Sequence, residues 1–265
     1  SLYRDRQGMA WVDPYRKEVW DYLVEVGTEA KEAGFDEVQF DYIRFSTEGT
    51  MRDVVFDEAV TGGRSKTDVI TEFVKYAYEN LASQGLFVSA DVFGTIIGSD
   101  IDAQAVGQVY TEMAKHLDYI CPMIYPSHYS DGNYGIDHPD MRPYDTICAA
   151  LTESRKELYF AGLDGSHVAA VRPWLQDFTA SYLKDYIDYG DEQVRQQIQA
   201  VYDSGYDEWI LWDAGVSYHY GGLLTPEEAA AEEQEIAESR AALPPETEAA
   251  LPSESEAPAG TGTGP

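Results

Sequence analysis

The sequence is poor in basic residues, and this shortage excludes a large group of ligands. It has 18 Lys and Arg against 48 Asp and Glu, which gives a formal net charge of −30. Such a charge repels nucleic acids and anionic membrane surfaces. The acidity is not confined to residues 225–265, because only ten of the acidic residues lie there. We therefore expect no nucleic-acid partner, and a neutral substrate fits better than a polyanion.

Cysteine and histidine are also scarce. The two cysteines, Cys121 and Cys148, have no spacing typical of a disulfide framework or a metal site, and we predict that both are small buried hydrophobes. The five histidines lack the His-x3-His spacing that a metal-dependent polysaccharide deacetylase needs. The sequence therefore predicts no metal and no cofactor.

Long apolar runs are missing as well. No segment approaches the roughly 20 apolar residues that a membrane-spanning helix needs, so we predict no membrane insertion by this segment. The first residues, Ser1-Leu2-Tyr3-Arg4, do not form a signal peptide. We expect the chain to begin inside a longer precursor that carries a signal or anchor upstream and acts outside the cell or in the cell envelope. No protein partner can be predicted.

The chain does contain a repeated alternation of helical and strand patterns. Apolar segments predict strands at 37–44, 87–93, 119–125, 171–178 and 208–213. Amphipathic segments predict helices from Asp13-Pro14 to Gly34, from the capping box Ser65-x-x-Asp68 to Gly85, and at 103–117, 144–158 and 191–204. Such alternation is typical of an α/β fold with a parallel sheet.

Five strands allow two architectures. One is an open five-stranded sheet, and the other, which we favour, is a (β/α)8 TIM barrel whose first three strands lie upstream of Ser1. Residues 1–224 would form this partial barrel. Residues 225–265 would form a short acidic helix, to about Ala242, and then a disordered tail rich in Glu, Ala, Pro, Ser and Gly. With strands missing, the remaining sheet would expose long edges and favour aggregation.

Two carboxylates occupy matching strand ends. If Val38, Phe40 and Tyr42 face the helices, then Gln39 and Asp41 face the barrel interior. By the same alternation, Val88, Ala90 and Val92 face outward, while Ser89 and Asp91 face inward. Because glycosidic bonds are cleaved by a pair of carboxyl groups, Asp41 and Asp91 are the candidate catalytic residues. Either one could instead be a salt-bridge partner, for example of Arg44.

The other strand ends combine aromatic rings with hydrogen-bonding groups. Aromatic rings stack on the apolar faces of sugars, and polar groups bind sugar hydroxyls. The candidate substrate-binding residues are Gln39, Arg44, Tyr125, His128, Trp174, Gln176, Trp212 and Asp213. Each aromatic residue could equally pack in the barrel core.

The same strand ends resemble a known family. The matching stretches, which together cover about residues 3–222, are Trp11-Val-Asp-Pro-Tyr15, Gly34-Phe-Asp-Glu-Val-Gln-Phe-Asp-Tyr-Ile-Arg-Phe45, Ser89-Ala-Asp-Val-Phe-Gly94, Pro122-Met-Ile-Tyr-Pro-Ser-His-Tyr129, Arg172-Pro-Trp-Leu-Gln-Asp-Phe178 and Leu211-Trp-Asp-Ala214. They resemble the putative glycoside hydrolase domain family, formerly a domain of unknown function and related to α-amylase-like barrels.

This resemblance implies that the five strands are strands four to eight of the barrel. By analogy with α-amylase-like enzymes, Asp41 would be the nucleophile and Asp91 the general acid/base. Position 91 departs from that pattern, because the acid is usually Glu. Placement on adjacent strands favours a retaining mechanism.

The sequence disfavours one class of glycosidase chemistry and leaves two hypotheses for the function. The chitinase pattern Asp-x-x-Asp-x-Asp-x-Glu, placed on Asp36, would put Ile43 where the acid Glu should lie. Substrate-assisted chitinase chemistry is therefore disfavoured. The main hypothesis is a glycoside hydrolase acting on an extracellular or cell-envelope polysaccharide, and the alternative is a non-catalytic carbohydrate-binding or scaffold barrel.

Overall fold

The computed structural model describes residues 2–48, 51, 53–163, 167–231 and 234. One compact unit comprises Ser1–Leu223 and a second comprises Leu224–Pro265. Residues 226–231 of the second unit are helical, and the Thr225 hydroxyl accepts a hydrogen bond from the Glu228 amide at 3.2 Å. The predicted disordered tail lies outside the described residues.

The helices of the described residues alternate with the strands along the chain. They are α1 (Lys17–Glu32), α2 (Glu58–Thr61), α3 (Lys66–Ala82), α4 (Asp100–Val106), α5 (Tyr110–Ala114), α6 (Pro143–Phe160) and α7 (Asp191–Asp203). Short 3-10 turns follow several strands, including Gly94–Ile96 after the second strand and Pro126–His128 after the third.

The strands form one parallel sheet. They are β1 (Glu37–Phe40), β2 (Phe87–Phe93), β3 (Tyr119–Met123), β4 (Ala170–Val171), β5 (Trp174–Gln176) and β6 (Ile210–Trp212). Their order is β1-β2-β3-β5-β6, with β4 also pairing with β3. Successive units therefore lie side by side in one direction, as in a barrel, without the reversal of strand order that marks a doubly wound sheet.

The outer face of the sheet forms the main core with the helices. Val88, Ala90 and Val92 of β2 are fully buried, as their alternation predicts, and they lie in one apolar cluster with α3 residues such as Phe73 and Leu81. The predicted capping box of Ser65 and Asp68 is present at the start of α3. Cys121 is buried, and burial raises the pKa of its thiol to about 12, while Cys148 is half-buried.

The inner face of the sheet carries polar side chains in two layers. In the lower layer, Glu37 pairs with Arg172 and accepts a hydrogen bond from the Ser89 hydroxyl at 2.5 Å. Desolvation raises the pKa of Glu37, but the hydrogen bonds from Arg172 and Ser89 outweigh it and hold the pKa below its usual range. The upper layer contains Gln39 and Asp91, at the carboxyl edge of the sheet. A charged layer held by the Glu37–Arg172 ion pair thus lies beneath this edge.

Several predicted boundaries are wrong for local reasons. Helix α1 begins at Lys17, because the Asp13 side chain and carbonyl bond the next amides in a turn instead of capping a helix. The predicted helix 103–117 is two helices, since Gly107 adopts a left-handed conformation with φ of 83° between α4 and α5. The predicted strand 171–178 is interrupted at Pro173, which cannot donate a sheet hydrogen bond.

Candidate active site

A cavity of about 320 Å³ lies at the carboxyl edge of the sheet. Its walls come from β2, β3, β5 and β6, from the segments that follow β1 and β3, and from Gln108 between α4 and α5. The lining residues are Asp41, Tyr42, Arg44, Asp91, Phe93, Gln108, Met123, Tyr125, His128, Trp174 and Trp212. Seven of the ten predicted site residues, including both candidate catalytic aspartates, therefore line one cavity, which we call the catalytic pocket.

Asp91 is the buried carboxyl group of the catalytic pocket. It lies in β2 and is 7% exposed. Its Oδ1 accepts hydrogen bonds from Gln39 Nε2 at 2.5 Å and Trp174 Nε1 at 2.7 Å. Both of these donors use Oδ1, and no hydrogen bond to Oδ2 is found among the described residues.

The surroundings of Asp91 favour its neutral form. Burial raises its pKa to about 6, and the nearby Asp41 charge acts in the same direction. The hydrogen bonds from Trp174 and Gln39 and the charge of Arg172 oppose this shift without cancelling it. A carboxyl group with such a pKa can hold a proton near neutral pH and donate it.

Asp41 lies in contrasting surroundings. It follows β1 directly, its side chain is exposed, and its Oδ1 accepts a hydrogen bond from the Tyr42 amide at 2.7 Å. The predicted strand 37–44 ends at Phe40, and Tyr42 has a left-handed φ of 57°. The prediction that Tyr42 faces the helices is therefore wrong, because the chain turns there and places Tyr42 beside Asp41 in the pocket wall.

Arg44 brings a cation to the pocket without an ion pair in the described part of the chain. Its guanidinium lies over the rings of Trp11 and Tyr42, at 5.2 Å from each, and over Phe93 at 4.6 Å. Its Nη1 donates to the Phe45 carbonyl at 3.1 Å. Burial lowers its pKa, and the nearby Tyr42 and Asp41 oppose this effect electrostatically. The alternative of a salt bridge from Arg44 to either aspartate is not seen among the described residues.

Further aromatic rings line the same pocket. Trp174 and Trp212 meet edge to face, with centroids 5.8 Å apart at 88°. Tyr125 and His128 make a similar contact at 5.1 Å and 87°. Burial raises the pKa of Tyr125 far above its usual value and lowers the pKa of His128, so both side chains are neutral near pH 7. Such rings suit the apolar face of a sugar, with Trp212 still 42% exposed.

The other three predicted site residues lie outside the pocket lining. Gln39 lies behind Asp91 and donates to it. Gln176 is fully buried, so the prediction that it binds sugar hydroxyls is corrected: its side chain accepts from the Ser127 amide and donates to Asp140. Asp213 instead accepts a hydrogen bond from the Ser217 amide in the turn after β6.

The sequence pattern missed a buried residue that contacts the backbone of Asp91 and the segment that follows Asp41. Gln108 is 1% exposed, and its Nε2 donates to the carbonyls of Asp91 at 3.2 Å and Ile43 at 3.4 Å. Its Oε1 accepts from the Phe93 amide at 3.1 Å. The sequence pattern does not indicate this role, because it predicts a continuous helix over 103–117 with Gln108 inside it. The neighbouring Gly107 was the available signal that the helix breaks there.

Neither a metal cluster nor a membrane span is found in the parts of the chain that the structure covers. Within residues 2–48, 51, 53–163, 167–231 and 234, no three or more His, Cys, Asp or Glu side chains are grouped to hold a metal ion. In the same ranges no helix has the length and apolarity needed to cross a bilayer.

A parallel, barrel-type sheet with two carboxyl groups in contrasting surroundings at its carboxyl edge is typical of glycoside hydrolases. The chain belongs to the DUF4015 family, described as a putative glycosyl hydrolase domain, whose model matches residues 1–218. The resemblance found in the sequence is confirmed, and so is the enzyme class at the level of this family description. No curated protein matches the chain.

Solved structures share the fold at low sequence identity. The glycoside hydrolase domain of PgaB (BpsB) from Bordetella bronchiseptica matches with a TM-score of 0.52 and 12% identity, over 80% of this chain and 64% of that chain. The spore cortex-lytic enzyme SleL from Bacillus megaterium QM B1551 matches with a TM-score of 0.50 and 13% identity, over 78% and 52%. A class V chitinase from Pseudomonas fluorescens Pf-5 matches with a TM-score of 0.51 and 14% identity, over 84% and 74%.

These likenesses confirm the predicted fold class. The described sheet is part of a (β/α)8 barrel, with five successive strand positions present. The chain spans about half to two-thirds of the length of the first two structures.

Proposed function

We propose that this chain is the catalytic part of a glycoside hydrolase that cleaves a polysaccharide with Asp41 and Asp91. The supporting observation is the contrast between the two carboxyl groups of one pocket. Asp91 is buried and its pKa is raised to about 6, whereas Asp41 is exposed. Two carboxyl groups whose surroundings differ in this way are suited to separate acid and nucleophile roles.

Asp91 acts as the general acid/base in this proposal. Its Oδ1 is held by Gln39 and Trp174, so Oδ2 carries the proton to the glycosidic oxygen as the bond to the leaving sugar breaks. Asp41 attacks the anomeric carbon and forms a glycosyl-enzyme. Asp91, now ionised, then removes a proton from a water molecule that hydrolyses this intermediate. The net stereochemistry is retention.

The residue at the position of the chitinase-type acid favours a general acid on the neighbouring strand instead. In the alignment on Asp36 this position is Ile43, which is 8% exposed and packs in the core. It offers no proton. We therefore assign the acid to Asp91 on β2 and do not propose substrate-assisted chemistry.

The substrate class is proposed from the pocket and from the related structures. Carboxyl groups, a cation and aromatic rings in edge-to-face contact suit a carbohydrate. SleL is described as a spore cortex-lytic enzyme and the Pseudomonas protein as a chitinase. We propose that the substrate is an extracellular or cell-envelope polysaccharide, and that the protein is located outside the cell or in the cell envelope.

Hydrolysis by the full-length protein tests the proposal. A panel of chitin, chitosan, cellulose and peptidoglycan would be assayed for released reducing ends. Asp41→Asn and Asp91→Asn should each lower the rate by about 10²–10⁴-fold while leaving the fold intact. Asp207→Asn, an exposed carboxylate before β6, is the matched control and should keep full activity. Full activity in either pocket variant would disprove the assignment.

A non-catalytic carbohydrate-binding barrel is the second candidate. The observation that favours it is the shorter Asp91 side chain, where α-amylase-like enzymes usually carry Glu. Turnover separates the two functions: glycan-array binding without any release of reducing ends would support the binding barrel.

A further inference from the structure

We propose that a second cavity beside the catalytic pocket is an additional carbohydrate subsite, so that the protein binds a chain of sugars instead of a single terminal unit. This inference rests on the proposed function and names its substrate as a polymer. The second cavity has a volume of about 380 Å³ and lies between the segment after β3 and the segment after β5. This volume falls within the range of small-ligand sites.

The two cavities share one wall. His128 lines both of them, and its imidazole packs edge to face against Tyr125, which belongs to the catalytic pocket. The second cavity is therefore next to the catalytic pocket, on the side of His128, where a longer sugar chain would extend. The second cavity adds room on one side of the cleavage site.

The polar groups of the second cavity are mixed in a way that suits sugar hydroxyls. Ser130, His138 and Lys184 supply donors, and the carboxylates of Asp131 and Asp185 supply acceptors. Hydroxyl groups both donate and accept, so a wall with both kinds of partner can bind successive hydroxyls. Lys184 is also free to reach a ligand, because its side chain is 94% exposed and its distance to Asp185 is a loose 3.9 Å.

The wall of the second cavity is held in place by buried contacts. Gln176 accepts from the Ser127 amide at 3.0 Å and donates to Asp140 at 2.9 Å, so it fixes both ends of the segment 127–140. Within this segment, Asp131 accepts from the His138 amide at 2.9 Å.

Two residues of the same segment hold strained backbone. Tyr134 and His138 have left-handed φ values of 53° and 51°. Such conformations persist where the surrounding structure enforces them, and they are enriched at ligand sites. Gln176, which is fully buried and does not line the catalytic pocket, supports the same wall through its hydrogen bonds with Ser127 and Asp140.

The proposal predicts that affinity depends on chain length. Asp91→Asn protein would be titrated with ladders of one to six sugar units prepared from chitin, chitosan, cellulose and peptidoglycan glycan strands. Affinity should rise with length, and the double substitution His138→Ala with Lys184→Ala should weaken binding of the longest ligand by about tenfold while leaving the shortest bound ligand unchanged.

A matched control is available in another polar cavity. Thr71 lines a cavity of about 490 Å³ beside α3, which shares no lining residue with the catalytic pocket. Thr71→Ala should bind ligands of every length as the parent protein does. If the double variant weakens short and long ligands equally, or if affinity does not change with length, the subsite is disproved.

Hydrolysis of the same ladders by the unmodified enzyme distinguishes a failure of the subsite proposal from a failure of the proposed function. Hydrolysis whose efficiency does not change with chain length overturns the subsite and leaves the hydrolase function standing. Absence of hydrolysis with any ladder overturns the hydrolase function. Length-dependent binding without hydrolysis supports the subsite in a carbohydrate-binding barrel.

Discussion

Asp41 and Asp91 carry the same functional group in opposite surroundings. Asp91 is enclosed by Gln39 and Trp174, and burial raises its pKa to about 6, while Asp41 is exposed in the turn after β1. Their presence at two adjacent strand ends could be predicted from the alternation of apolar residues. Their difference could not, because it depends on burial of Asp91 in the fold, where even its hydrogen-bond partner Trp174 lies 83 residues further along the chain.

The pH dependence of activity should report the Asp91 proton. If Asp91 must be protonated in the free enzyme, kcat/KM should fall as the pH rises through about 6. The Trp174 hydrogen bond stabilises the ionised form of Asp91, so Trp174→Phe should raise the pKa of Asp91. The fall in kcat/KM should then occur at higher pH. A pH series of kcat/KM for both proteins measures the shift. If kcat/KM falls at the same pH in both proteins, a group other than Asp91 controls the pH dependence.

Removing the Asp91 charge should stabilise the fold in a pH-dependent way. The pKa of Asp91 is about 6 in the folded protein and 3.8 as the ordinary value. The contribution of protonated Asp91 to the free energy of unfolding is therefore complete below pH 3.8 and is lost as the pH rises through 6. Asn imitates the neutral form. Asp91→Asn should therefore raise the free energy of unfolding at pH 7.5 by at most about 3 kcal/mol.

Urea unfolding at two pH values checks this effect. The difference between the two proteins should be large at pH 7.5 and should nearly vanish below pH 4. An equal difference at both values would show that packing, and not ionisation, causes it. Asp207→Asn again serves as the control, because Asp207 is exposed.

At the scale of the elements, the strands and the longer helices follow from local pattern. Val88, Ala90 and Val92 alternate as predicted and form the outer face of β2, and the Ser65 capping box begins α3. The chain conformation after the strands could not be predicted in the same way. There, backbone groups are bonded by distant side chains, as Gln108 does for Ile43 at 65 residues' separation.

Gln108 should act as a positioning residue. It connects the backbone of Asp91 to that of Ile43, close to Asp41. Gln108→Leu should therefore lower kcat more than it raises KM, and it should shift the pH at which kcat/KM falls. The change should also cost about 1–3 kcal/mol of unfolding free energy, because buried carbonyls lose their partner.

Gln197 provides the matched control for this substitution. It is equally buried and bonds the backbone of Gln176 from α7 without lining the catalytic pocket. Gln197→Leu should lose similar stability, measured by urea unfolding, but keep the pH profile. If both variants lose kcat to the same extent at equal stability, Gln108 has only a structural role.

On the scale of the whole compact unit, the sheet has two open edges in the described residues. Strand β1 pairs only with β2, and β6 pairs only with β5. An apolar cavity of about 570 Å³ lies between the N-terminal segment and residues that follow β1, and its lining includes the exposed Val12 and Val55. The sequence predicted the open edges from its strand count, but the cavity depends on segments brought together only in the fold.

We predict that residues 1–265 alone self-associate through these surfaces. Open strand edges and clustered apolar side chains both favour pairing between copies. Size-exclusion chromatography with light scattering should show oligomers or aggregates, and Val12→Lys combined with Val55→Lys should reduce them. A monodisperse monomer that unfolds cooperatively would contradict the prediction.

The division of the sheet into an apolar outer face and a polar carboxyl edge has an evolutionary consequence. The side chains that contact the helices lie on the strands, whereas the walls of both cavities come largely from the segments that follow the strands. Substitutions or insertions in the segments after β3 and β5 can therefore accumulate without loss of the core. A lineage with this scaffold could acquire a new sugar preference while inheriting Asp41 and Asp91 unchanged.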